Sequence, residues 1–166
     1  MNRILSLAGV CLAAVSGLSI VSAAQAQDAP GEPVFSVQRS SSSQVSAAAW
    51  AFNAGDYERA ERLGRASLRN PARLSAPRRS IAYANWCAAL SMTDQHAEAI
   101  AACEEAVSLQ PANWRAHLNH AGALHRAGQA DEARAALAEA RRLAPSEDAV
   151  IRAAEILDSR SLASAG

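Results

Sequence analysis

The sequence predicts an all-helical domain built from stacked helical hairpins, and three observations carry that expectation. Alanine is abundant while only seven of 166 residues are aromatic (Phe35, Trp50, Phe52, Tyr57, Tyr83, Trp86 and Trp114). Alanine is the best helix former and a poor strand former, so the packing must join small, closely approaching helix faces. A pattern of apolar residues also recurs at one fixed displacement, which carries Leu90 to Leu124 and Ala99 to Ala133. Finally, turn residues and prolines punctuate that pattern at matching places. Half of the residues are apolar, enough for a packed core in a chain of this length.

At the start, Arg3 precedes an apolar stretch from Ile4 to Val21, and Ala24-Gln25-Ala26 forms an A-x-A cleavage site. Residues 1–26 are therefore expected to be a signal peptide, leaving a mature chain from Gln27 that is periplasmic or secreted in a bacterial host. An uncleaved membrane anchor is the competing reading, since the apolar stretch is long enough to span a bilayer. No basic stop-transfer cluster follows it, and bulky Val10 before Cys11 argues against a lipoprotein. Residues 27–43 contain Pro30, Gly31, Pro33 and the serines 40–43, without helical period, and are expected to be a flexible linker.

Beyond the linker the repeats begin. Tyr83, Trp86, Cys87, Leu90, Ala99, Cys103, Ala106, Leu109 and Pro111 are matched in turn by His117, His120, Ala121, Leu124, Ala133, Leu137, Ala140, Leu143 and Pro145, every pair at the same displacement. An earlier, looser copy has Ala47, Ala48, Ala51, the segment Gly55-Asp56-Tyr57-Glu58-Arg59-Ala60, Leu68 and Pro71. Its Ala60 stands further before Ala99 than Ala99 stands before Ala133, so extra residues around Ala72 to Pro77 separate the first two units. In its period, about 34 residues, and in its alternation of small and large residues, the chain resembles the tetratricopeptide repeat family. It departs at Gly64, where that family prefers a large residue, and at Pro71, which arrives one residue early.

The resemblance implies a right-handed α-solenoid of about three helical hairpins plus a C-terminal capping helix, seven helices in all. Repeats are expected at about 44–71, 80–113 and 114–147, a capping helix at 146–160 and a flexible tail at 161–166. Small residues let paired helices approach, with Cys87 facing Ala99 and Ala121 facing Ala133, while Tyr83, Trp86, Leu90 and Leu124 fill the space alongside. Turns are expected at Gly55-Asp56, Thr93-Asp94-Gln95 and Gly128-Gln129, and prolines 71, 111 and 145 close the second helices. Ser146, with Glu147 and Asp148 behind it, can start the last helix. Val150, Ile151, Ala154 and Leu157 form its apolar stripe, and Glu155 and Asp158 give the solenoid a polar end.

The expected activity is non-enzymatic: the first helices of stacked hairpins line a concave groove that takes a peptide or a partner protein. Asn85 and Asn119 are equivalent by the repeat displacement, and Arg115 opens the third repeat. The resemblance implies that an asparagine there can hydrogen-bond a bound peptide's backbone and that a neighbouring cation can meet its carboxylate. An amide offers donor and acceptor together, and a guanidinium offers a two-pronged donor. His125 and Arg126, with Ser91 and Met92, extend the same surface. Ordinary exposed polar residues are the competing reading, and the first repeat offers only Val45 and Ala49 in place of a cation and an amide.

Cys87 and Cys103 lie on the two helices of one hairpin, with an expected Cα separation near the limit for a bridge, about 7 Å, so a disulfide and two buried thiols both remain open. His117 and His120, three apart on one helix, raise an alternative metal- or haem-handling role. They also fall on packing positions, and no acidic or thiolate third ligand is spaced to join them, so no metal or cofactor is expected. Acidic and basic residues balance, and without Arg3 the chain carries 15 basic against 16 acidic groups. That excludes the basic footprint of a nucleic-acid or anionic-membrane binder. No nucleophile elbow, phosphate loop or zinc-protease motif is present.

Overall fold

The computed structural model describes residues 32–164, with side chains described through residue 159. The expected signal peptide and the first residues of the expected linker lie outside the described residues. Seven α-helices, and no strand, occur among the described residues: α1 (Ser43–Asn53), α2 (Tyr57–Ser67), α3 (Ala76–Met92), α4 (His96–Leu109), α5 (Trp114–Arg126), α6 (Ala130–Leu143) and α7 (Asp148–Ser164). They form an α-solenoid of three hairpins, α1 with α2, α3 with α4 and α5 with α6, closed by α7. No helix among them is long and apolar enough to cross a membrane.

The three hairpin turns are one structure repeated. Gly55, Asp94 and Gly128 occupy equivalent places, and all three have positive φ, at 77°, 59° and 80°. The following amide then reaches back to a carbonyl of the last helical turn: Asp56 to Ala51 at 3.0 Å, Gln95 to Leu90 at 3.0 Å and Gln129 to Leu124 at 2.9 Å. Asp94 is the non-glycine member, a residue type that tolerates left-handed backbone better than most. Asp56 adds a cap by accepting from the Arg59 amide at 3.1 Å. Between the first two hairpins, Pro71–Arg73 forms a short 3-10 turn. That turn absorbs the longer spacing seen in the sequence. Helix α3 begins earlier than the expected repeat start at 80, because Pro77 fits the first turn of a helix.

The helix seams carry the small residues the repeat pattern assigns to them. Cys87, Leu90, Ala99, Ala102 and Cys103 share one buried cluster, and Ala121, Leu124, Ala133, Leu137 and Ala140 share another. Val150, Ala153, Ala154 and Leu157 of α7 seal the second cluster. The departure at Gly64 has a packing cause. A Cβ there would meet the Trp86 side chain at 2.9 to 3.1 Å, so the indole of α3 occupies the place a large residue would take on α2.

Two expectations are corrected. Residues 32–42 of the expected flexible linker lie extended against the helices, because their backbone and apolar side chains find partners on three repeats. The last helix starts at Asp148, later than Ser146, and runs to Ser164, past the expected end at 160. No glycine or proline interrupts the chain between Asp158 and Ser164.

Cys87 and Cys103 form a disulfide with a Cα separation of 5.4 Å. Small residues along the seam let α3 and α4 approach closely enough for this bridge. The two cysteines are 16 apart in sequence, and closing a loop of about that length is worth about 3 kcal/mol in the chain-entropy model. Reducing the bridge, or replacing both cysteines by serine, is expected to lower unfolding free energy by about 2–4 kcal/mol. Urea titration with and without reductant measures it, with the doubly substituted chain insensitive to reductant.

Candidate functional site

The odd-numbered helices make the candidate site. Helix α3 packs on both α1 and α5, and α5 also touches α7, whereas α2, α4 and α6 make little or no contact with one another. The row of first helices is therefore the closer-packed, concave side. Along it lies the extended segment 32–42, running from the cap towards the first hairpin.

Three side chains, one from each repeat, hold alternate residues of this segment by both backbone groups. Ser36 donates its amide to Asn119 Oδ1 at 2.8 Å, and its carbonyl accepts from Asn119 Nδ2 at 3.1 Å. Gln38 donates to Asn85 Oδ1 at 2.8 Å and accepts from Asn85 Nδ2 at 2.7 Å. Ser40 donates to Ser46 Oγ at 3.1 Å and accepts from the same hydroxyl at 2.6 Å. Residues two apart on an extended chain present their backbone groups to one side about 7 Å apart. Each repeat thus grips one residue in every two of the chain, and the grip is to backbone rather than side chain.

The sequence singled out two of these rungs. It missed the third, and the signal was available: Ser46 precedes Asn85 by the same displacement as Ala60 precedes Ala99. Val45 and Ala49, considered in its place, are buried in the helix packing.

Side chains of the segment fill the space between rungs. Val34 is buried with Leu118, Leu124, Val150 and Leu157. Phe35 packs edge-on to Phe52, with ring centroids 6.4 Å apart, and lies over Gly122. A Cβ at Gly122 would stand 2.7 Å from the Phe35 ring. A glycine in mid-helix costs about 1 kcal/mol relative to alanine, and here its bareness makes the room for an aromatic ring. The space enclosed by Pro33, Val34, Gly122, His125 and Leu157 is about 10 Å³, room for about one water.

Arg126 closes the upstream end. Its guanidinium meets Glu32 at 3.1 Å and Asp94 at 2.7 Å. The Arg126 hydrogen bond, and then its charge, hold the Asp94 carboxyl below its ordinary pKa. Of the residues the sequence singled out, Asn85, Asn119, His125 and Arg126 come together around the segment. Arg115 does not: it sits at the other end of α5, about three turns from Arg126, with its guanidinium 4.0 Å from the Trp114 ring centre. Ser91 is buried and donates to the Cys87 carbonyl within its own helix, and Met92 packs beside Phe52.

A second concavity of about 760 Å³ lies on the other side of α5, lined by Ile100, Val107, His117, His120, Leu124 and Ala136 among others. His117 Nε2 lies 2.9 Å from the Pro111 carbonyl. Among the described residues no three His, Cys, Asp or Glu side chains are grouped to hold a metal ion. Burial lowers the His120 pKa from the ordinary 6.5; the nearby Glu104 opposes this and His117 adds to it.

Residues 92–156 match the family model for the tetratricopeptide repeat, from the end of α3 into α7. No curated protein matches the sequence. Among solved structures, the Arabidopsis OM64 TPR domain is similar at 19% identity and a TM-score of 0.58, covering 67% of this chain and 88% of its own. The first TPR domain of human RPAP3 is similar at 20% identity and 0.58, covering 70% and 87%. The second TPR domain of the same protein, solved in complex with the HSP70 peptide SGPTIEEVD, is similar at 23% identity and 0.57, covering 69% and 92%. These similarities support the tetratricopeptide repeat family, by sequence over residues 92–156 and by fold over the wider chain.

Two expectations follow from the site. Asn119 bonds Ser36 and also donates to the Ala84 carbonyl at 2.9 Å, so Asn119→Ala should cost more stability than Asn85→Ala. The loss expected for Asn119→Ala is about 1–3 kcal/mol, read from urea unfolding, with faster amide exchange at Ser36. The unfolded chain protonates His120 at higher pH than the fold does. Its stabilising contribution is therefore present above about pH 6.5 and falls away below it. The acid-side drop in urea midpoint should shrink in His120→Gln.

Proposed function

We propose that this chain is an exported, non-enzymatic interaction module of the cell envelope that binds an extended peptide or partner segment along α1, α3 and α5. One observation carries the reading. Ser46, Asn85 and Asn119 recur once per repeat and each pairs with both the N–H and the C=O of one residue in an extended chain. Such pairing grips any extended chain with free backbone groups, as an added strand is gripped at a sheet edge. Tetratricopeptide domains typically serve as protein-interaction surfaces, and one of the similar structures holds a peptide. The export part of the reading rests on the leader at 1–26 and on the Cys87–Cys103 bridge, which suits an oxidising compartment.

Peptide selection tests the reading. The mature chain carrying Phe35→Ala, in which its own segment competes less, is screened against a random peptide library, and selected peptides are titrated into labelled protein. Bound peptides should shift the side-chain amide resonances of Asn85 and Asn119, and affinity should fall at least tenfold in Asn85→Ala/Asn119→Ala. Failure to select any peptide, or selection of peptides indifferent to both asparagines, would sink the proposal.

A further inference from the structure

The groove already shows what it selects, because a segment of the same chain fills it. We infer that residues 32–40 act as a tethered ligand competing for this groove, and that the partner is an extended peptide copying their pattern. The inference rests on the peptide-binding reading above and specifies its ligand. In that pattern an acidic side chain meets Arg126, an aliphatic residue follows two places later, and an aromatic residue comes directly after it. Non-proline residues then stand at the three rung positions.

Each part has a cause in the geometry. Glu32 lies 3.1 Å from the Arg126 guanidinium, on the rim. Val34 completes the cluster that α5 and α7 share. Phe35 requires the missing side chain at Gly122, whose counterpart in the second repeat is Ala88. At Ser36, Gln38 and Ser40 each amide is a donor, so proline, which has none, is excluded there. Pro33 stands where no rung holds the chain and is tolerated.

The segment is built to be displaced. Its rungs join polar groups that water or another backbone can satisfy equally, so the net worth of each hydrogen bond is small. The tether adds to the burial of Val34 and Phe35 in keeping it in place. Only Ser41 and Ser42 separate the last rung from α1, so its effective concentration at the groove is on the order of mM. A free peptide of the same intrinsic affinity must exceed that concentration to compete, and one that fits better needs proportionally less, as it does when the tethered copy is weakened.

The probe is a blocked synthetic peptide of residues 32–41, titrated by fluorescence anisotropy into the mature chain. The unaltered chain should bind it no more tightly than about the tether's effective concentration, on the order of mM. Phe35→Ala and, independently, Val34→Ser should each bind it at least tenfold more tightly while keeping cooperative unfolding. A peptide N-methylated at Ser36 and Gln38 should lose binding. Adding Gly122→Ala to the Phe35→Ala chain should abolish its preference for the phenylalanine peptide over one with alanine in that place. Equal binding by the unaltered chain and both weakened chains would overturn the tethered-ligand inference and leave peptide binding intact. Library-selected peptides that bind while the 32–41 peptide does not would overturn the pattern alone. Unchanged binding of the N-methylated peptide would overturn the ladder and both readings with it.

Discussion

Where Cys87 shares a buried cluster with Ala99, and Ala121 with Ala133, two helices approach as closely as side chains of that size allow, and the rest of the molecule is arranged by that distance. It brings Cys87 and Cys103 within bridging range. It sets the pitch from one hairpin to the next, and so the spacing at which a residue repeated once per hairpin recurs along the concave row. A larger residue at either seam would push the helices apart and carry Ser46, Asn85 and Asn119 out of register with an extended chain. Packing and recognition are in this sense one constraint, since interiors filled to this density transmit small displacements.

The groove recognises its occupant mostly through backbone. An amide side chain supplies a donor and an acceptor in the same geometry as a peptide group, so each asparagine behaves like one residue of a neighbouring strand. Such rungs carry little sequence information. Selectivity is left to the spaces between them: the bare backbone at Gly122 under Phe35, the apolar cluster around Val34, and the Arg126 charge shared between Glu32 and Asp94. Asp94 joins two roles, for its left-handed backbone turns the second hairpin while its carboxylate orients Arg126.

The oppositely facing concavity differs in kind. Its histidines fall on helix packing positions, His117 has a backbone carbonyl within hydrogen-bond distance, and His120 is held towards its neutral form by burial. Among the described residues, no backbone-pairing side chain there holds an extended segment, as Ser46, Asn85 and Asn119 do on the face that carries residues 32–42.

Local and periodic features were legible in the sequence. The repeat displacement, the turn positions, the small seam residues and the equivalence of the two asparagines follow from helix periodicity and residue type, while the asparagines' role was implied by the family resemblance. The order of the segment 32–42 was not legible there. Residues 32–42 have no period, few large apolar side chains and two prolines nearby, all of which describe a free linker when the segment is considered alone. Its order comes from partners 6, 47 and 83 positions away, brought to one line only when three hairpins stack. Gly122 has the same status: a glycine in a helix acquires meaning from the chain lying across it. Sequence by itself determined the helices and their repeat; tertiary structure decided what fills the groove, because that depends on contacts no local pattern encodes.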